Sequence, residues 1–171
     1  MRLAAALTLV VLGACRSMQP AGPSAVAELQ PTKGNSASGT VTFTQSGDRV
    51  HLAGNVSGLK PNQEHGFHIH EAGDCSSGDG MSAKGHFNPQ AKPHGHPSTS
   101  ERHAGDMPAL KADEHGNARV DTTLDIITVN PGATSVVGRG LIVHAGPDDY
   151  KTQPTGNAGA RVACGIIQKT S

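Results

Sequence analysis

Residues 66–106 limit what this chain can fold into more than any other stretch. From about residue 71 to residue 107 the apolar residues follow neither a two-residue nor a 3.6-residue period, so no long helix or strand can run through. A segment that long inside a compact domain needs something other than an apolar face to order it. It is rich in groups that bind metals. Six of the ten histidines lie in the window, His68, His70, His86, His94, His96 and His103, together with Cys75, Asp74 and Asp106. Gly85, Pro89, Pro93, Gly95 and Gly105 permit the tight bends needed to wrap an ion. These residues point to a metal-organised loop with two sites, nearly complete within the window and finished by the C-terminal third.

The scaffold around it reads as β. Residues 40–44 and 49–56 alternate apolar and polar, with Ser46-Gly47-Asp48 as the turn of a hairpin. Further strands are expected at 26–29, 66–70, 116–124, 137–144 and 161–167, with one helical turn allowed at 124–129. A second long loop spans 145–160. The chain has no Trp, and its aromatics are Phe43, Phe67, Phe87 and Tyr150, so the core must be aliphatic. With 22 Gly and 11 Pro, turns are favoured over long helices. The expected fold is all-β: a Greek-key β-sandwich or flattened barrel of about eight strands with two long functional loops, in one domain over residues 25–171.

Residues 1–14 read as a signal peptide, with Arg2 as the positive end and 3–12 as the apolar run. That run is short of the roughly 20 residues of a membrane span. Leu12-Gly13-Ala14-Cys15 resembles a lipobox, which would make Cys15 a lipidated first residue; ordinary cleavage that discards Cys15 is the alternative. Three cysteines leave Cys15 as the odd one, because Cys75 and Cys164 can pair within the domain. Residues 15–24, with Pro, Gly and Ser, form a tether. Lys+Arg and Asp+Glu both number 14, and no basic patch stands out, which argues against a nucleic-acid partner.

Within the window, His68 and His70 stand two apart on a strand and so share a face. Such a pair can hold one metal, but by itself it also fits two surface histidines. His144 ends the strand before the second loop and is a further ligand candidate. His86, His94, His103 and Asp106 follow at intervals of 8, 9 and 3 residues. Three imidazoles and a carboxylate suit a tetrahedral zinc site. A solvated histidine-rich loop remains the other reading.

Five motifs occur in order: Gly66-Phe67-His68-Ile69-His70-Glu71, Gly85-His86-Phe87-Asn88-Pro89, Arg102-His103-Ala104-Gly105-Asp106, Gly138-Arg139-Gly140-Leu141-Ile142-Val143-His144 and Gly156-Asn157-Ala158-Gly159-Ala160-Arg161. Together they make the chain resemble the copper/zinc superoxide dismutases, in their exported bacterial form, over nearly all of the mature sequence. The resemblance implies an enzyme that dismutes superoxide anion with copper as the redox metal and zinc as the structural one. It implies His68, His70, His86 and His144 as copper ligands and His86, His94, His103 and Asp106 as zinc ligands, with His86 bridging. Asp148 would bond His68 and His94, Arg161 would dock the anion, and Cys75 and Cys164 would form a disulfide. The periplasm is the implied location, with Cys15 as a lipid anchor to a membrane; relatives include homodimers and monomers.

The chain departs from many relatives at 145–160, where Asp148, Asp149 and Lys151 are the charged residues. This leaves Arg161 and the metals as the main attraction for the anion. His51, His65, His96 and His115 are expected as strand, turn or solvated residues. A metal-buffering protein and a zinc hydrolase are the competing functions. The copper set with Arg161 disfavours the first, and the full zinc set, with no open position for water, disfavours the second.

Overall fold

The computed structural model describes residues 22–170. The expected signal peptide, Cys15 and most of the tether lie outside that range. The chain forms β1 (Ser24–Pro31), β2 (Ser38–Ser46), β3 (Arg49–Ser57), β4 (Glu64–His65), β5 (Phe67–His70), β6 (Leu110–Lys111), β7 (Ala118–Leu124), β8 (Gly140–His144) and β9 (Arg161–Lys169). A 3-10 turn at Met81–Ala83 interrupts the first long loop. Seven strands make one antiparallel sheet, in the order β5-β8-β9-β1-β2-β3-β7, which curls into a half-barrel. β4 pairs with β6 separately.

The alternation in the sequence becomes burial. Val41 and Phe43 of β2 and Val50, Leu52 and Val56 of β3 are buried, facing Ala25, Ala27 and Leu29 of β1. Each large aliphatic or aromatic side chain buried this way contributes roughly 1.5–3 kcal/mol relative to exposure. The β2–β3 hairpin closes between Ser46 and Arg49, with Gly47 at φ 60°. β4 and β6 were not expected, because two residues are too few to display a period.

The helical turn allowed at 124–129 does not form. Thr128 instead makes an isolated bridge with Ser135. The buried Gln45 side chain accepts from Thr128 Oγ1 and Val129 N–H, each at 2.8 Å. A buried amide must find partners, and Thr128 and Val129 supply them to the Gln45 carbonyl oxygen.

The long first loop lies against β5. β5 pairs with β8 on one edge. On the other, Ile69 N–H donates to Gly105 O at 3.0 Å and Phe87 N–H donates to Ile69 O at 2.8 Å. Gly105 N–H closes the group on Phe87 O at 2.9 Å. A Cβ on Gly105 would sit 2.2 Å from Ile69 O, so the close approach requires glycine. The loop thus satisfies an otherwise open sheet edge and brings His86 and Asp106 beside His70 and His68.

Candidate metal centre

His68 and His70 are both fully buried, which excludes the surface-histidine reading. Phe67 and Ile69 pack into the hydrophobic core. His144 ends β8, with its N–H on Gly66 O at 2.8 Å. Two groups of four ligand-type atoms result, each with its members within 4.8 Å of one another: His68, His70, His86 and His144 in one, and His86, His94, His103 and Asp106 in the other. His86 belongs to both.

The hydrogen bonds determine which atom of each ring faces inward. His68 Nε2 donates to Asp148 Oδ2 at 2.7 Å, His70 Nδ1 to Lys84 O at 2.8 Å and His144 Nδ1 to Gly159 O at 3.1 Å. This leaves His68 Nδ1, His70 Nε2, His86 Nε2 and His144 Nε2 buried with no hydrogen-bond partner among the described residues. Four orphaned imidazole nitrogens in one place are costly unless something else binds them. They make an all-nitrogen donor set of the kind that suits Cu(II).

The second group fits a tetrahedral ion. His86 Nδ1, His94 Nδ1 and His103 Nδ1 lie 2.9, 3.0 and 3.4 Å from Asp106 Oδ1, and His86 Nδ1 lies 3.3 Å from His103 Nδ1. Bonds of about 2.0–2.1 Å to a tetrahedral zinc require ligand atoms about 3.3 Å apart. Asp106 Oδ2 is held separately, by the N–H groups of His103 at 2.8 Å and Gly95 at 3.1 Å. That leaves Oδ1 as the ligating oxygen.

Electrostatics keep His68, His70, His86, His144 and Asp106 in ligand form. Burial lowers the His86 pKa to about 4 and that of His144 to about 3, and lowers those of His68 and His70 as well. Burial opposes the Asp106 charge, but bonds from His103, His86 and His94 hold its carboxyl far below the usual range. Burial likewise opposes the Asp148 charge, and bonds from His68, His94 and Tyr150 N–H outweigh it. His94 goes the other way: burial disfavours its cation, yet Asp106 and Asp148 raise it to about 9.

A pH dependence follows for chelator-stripped protein. The unfolded chain takes up protons on His86 and His144 near 6.5, whereas the fold resists until about 4 and about 3. Their contribution is therefore full above pH 6.5 and falls on acidification below it. The two depressed carboxylates add a loss below about 3.8. The His94 contribution is full below 6.5 and fades as pH rises through about 9. Urea titrations from pH 9 to 4 are expected to place maximal stability near neutrality, and a maximum near pH 4 would contradict this.

Arg161 opens β9 and is held by two backbone carbonyls. Its Nη1 donates to Gly80 O at 2.6 Å and its Nη2 to Lys84 O at 2.5 Å. Its charge is near enough to help lower the pKa values of His70 and His144. The Lys84 carbonyl thus serves both Arg161 and His70. Lys84 is exposed, with φ 63° and ψ −149°, a region that is essentially glycine-only. Such a residue costs about 1–3 kcal/mol, and glycine returns part of that as chain entropy. Lys84→Gly is therefore expected to stabilise by roughly 1 kcal/mol, read as a higher urea midpoint; an unchanged or lower midpoint would show that no strain is stored there.

Cys75 and Cys164 form a disulfide with Cα atoms 5.8 Å apart. Asp74 stays out of the site, exposed and bonded to Ser76 N–H. His96 is exposed, as expected. Two residues nearby, Tyr150 and Gln153, escaped the sequence reading as parts of the site, and His65, expected as a strand or turn residue, lies in β4. His65 is buried, with Nδ1 donating to His144 O at 2.8 Å. The Tyr150 ring lies 6.3 Å from and near-parallel to His94, while its hydroxyl accepts from Ala109 N–H at 2.9 Å. Gln153 bonds the His94 backbone. Tyr150 had one available signal, being the only Tyr and two residues after Asp148. Nothing in the sequence marks Gln153.

Comparison with known proteins agrees with this geometry. Residues 37–167 match the family described as copper/zinc superoxide dismutase. The chain is 46% identical over 129 residues to Cu-Zn superoxide dismutase 2 of Aquifex aeolicus (strain VF5), covering 73% of this chain and 74% of that protein. It is 43% identical over 134 residues to Cu-Zn superoxide dismutase 1 of the same organism, covering 76% and 79%. Among solved structures, the crystal structure of the clock protein EA4 superposes with a TM-score of 0.79 at 41% identity, over 86% of this chain and 94% of that one.

Proposed function

Since the chain belongs to the copper/zinc superoxide dismutase family, we propose a division of labour among its residues. The activity is dismutation of superoxide to dioxygen and hydrogen peroxide, with copper and zinc as the metals. His68, His70, His86 and His144 hold copper, and His86, His94, His103 and Asp106 hold zinc. The convergence of four buried nitrogens carries this reading, because among the described residues no hydrogen-bond partner satisfies them. Bound copper supplies the one-electron chemistry, and zinc, which has no redox chemistry, supplies structure.

The chain's own residues do the rest. His86 presents a nitrogen to each group, Nε2 to the first and Nδ1 to the second. Its Nε2 is the atom that takes a proton and returns it to the reduced oxygen. The carboxylate of Asp148 orients His68 and His94 at once. Arg161, fixed by two backbone carbonyls, keeps its charge beside the first group and docks the anion.

The test is superoxide decay on protein loaded with copper and zinc, beside protein loaded with zinc alone. Activity independent of copper would sink the assignment. His86→Ala is expected to abolish spectroscopic coupling between the two sites, and an unchanged copper spectrum would reject the bridge.

The reading extends to location. Arg2, the apolar run at 3–12 and Leu12-Gly13-Ala14-Cys15 support export with a lipid on Cys15. The Cys75–Cys164 disulfide supports an oxidising compartment such as the periplasm. Mass analysis of the mature N-terminus decides: an unmodified first residue other than Cys15 ends the lipoprotein reading.

A further inference from the structure

We propose that Gln153 is a positioning residue that sets the geometry of the zinc site through the backbone of His94; the proposal rests on the reading of His94 as a zinc ligand. Gln153 Oε1 accepts from His94 N–H at 2.9 Å, and Gln153 Nε2 donates to His94 O at 2.9 Å. One primary amide therefore engages both main-chain groups of one residue, as a neighbouring strand would. A pair of bonds in opposite senses resists both sliding and rotation of the residue it holds.

The other zinc ligands do not need such a device. His86 forms a bridge with His70, and Asp106 forms one with His68, so both are tied to β5. His103 is tied to Asp106 through its own N–H at 2.8 Å. Among the described residues, no backbone–backbone hydrogen bond holds His94. It sits between Pro93, which has no N–H to give, and Gly95, which adds flexibility. Its ring is held at Nε2 by Asp148 at 2.9 Å. Its own main-chain N–H and carbonyl are both bonded by Gln153, 59 residues away, while the next N–H, of Gly95, donates to Asp106 Oδ2 at 3.1 Å. A ligand must be held to within about half an ångström to be productive, and the two ring contacts, Nε2 on Asp148 and Nδ1 at 3.0 Å from Asp106 Oδ1, do not by themselves fix the backbone that carries the ring.

The test compares Gln153→Met and Gln153→Glu with the intact holoprotein. Methionine keeps the length and neither hydrogen bond. Glutamate keeps the acceptor for His94 N–H but sets a carboxylate against the His94 carbonyl. Zinc affinity, measured by chelator competition, is expected to fall about 10- to 100-fold in the methionine variant. The Co(II) spectrum of the zinc site should change, copper affinity should not, and the His94 amide should exchange faster in the methionine variant than in the glutamate one. A general loss of stability would weaken both metals together, so a parallel loss of copper and zinc overturns the positioning role. Wild-type zinc affinity in Gln153→Met also overturns it. His94→Ala separates this from the underlying assignment: if zinc affinity survives His94→Ala, the zinc-ligand reading fails and takes this proposal with it.

Discussion

Gly156→Ala is expected to weaken both metal sites at once, although Gly156 ligates neither metal. An added Cβ would lie 1.8 Å from Asp148 Oδ1 and 2.6 Å from His94 Nε2, distances no real pair of atoms tolerates. Gly156 also has φ +69°, where a non-glycine residue costs roughly 1–2 kcal/mol. The Gly156 backbone cannot simply retreat, because its N–H donates to Thr152 O at 2.7 Å and its carbonyl accepts from Asp149 N–H at 2.9 Å. The Asp148 carboxylate therefore has to move, and with it go the bonds that orient His68 and His94. Loss of such an orienting partner typically costs 10- to 100-fold in metal affinity, here on both metals. Gly34→Ala is the control: φ is +81°, but among the described residues no atom beyond its chain neighbours lies within 4 Å of where its Cβ would be. The control should lose stability from strain alone and keep both affinities. If Gly156→Ala also keeps them, the bridging role of Asp148 is wrong.

Removing the disulfide, as Cys75→Ser with Cys164→Ser, is expected to give the largest loss of stability. The bridge spans 89 residues of sequence. In the chain-entropy account a loop that long gives about 4.6 kcal/mol, and removal of native disulfides typically costs 2–5 kcal/mol. The bridge also has a local effect. It ties the first loop to β9 at Cys164, beside the small cluster of Ala83 and Ile142. Gly80 and Lys84, whose carbonyls hold Arg161, belong to that tied segment. Freed from β9, the segment should place Arg161 less well, so activity per bound copper should fall as well. Urea unfolding of the double variant checks the first effect and superoxide decay at matched copper content the second. A loss below about 1 kcal/mol would show that the unfolded chain is not constrained as the entropy account holds.

Much of the fold could be read in advance because it is local. The alternation at 40–44 and 49–56 fits only a half-buried strand pair, and the hairpin between Ser46 and Arg49 followed. Signals that need more than two or three residues failed where elements were shorter, as at Glu64–His65 and Leu110–Lys111. The turn allowed at 124–129 failed for a different reason. Thr128 and Val129 are bonded by Gln45, more than 80 residues away, and no window of nearby sequence carries that information.

The candidate site divides along the same line. Metal chemistry accepts few side-chain types, so His68, His70, His86, His94, His103, Asp106 and His144 could be named from type, spacing and motif order. The sequence by itself thus determined the longer strands, the ligand types and the order in which they occur. Tertiary structure alone decided that His68 turns Nδ1 inward while His70, His86 and His144 turn Nε2 to the same point. It also decided that Lys84 bears strain beside Arg161, and that Gln153 holds the backbone of His94. The reason is that ring orientation and backbone support come from hydrogen bonds to carbonyls, amides and carboxylates brought in from distant segments. Those partners meet only after the sheet has curled and the two loops have closed over its edge.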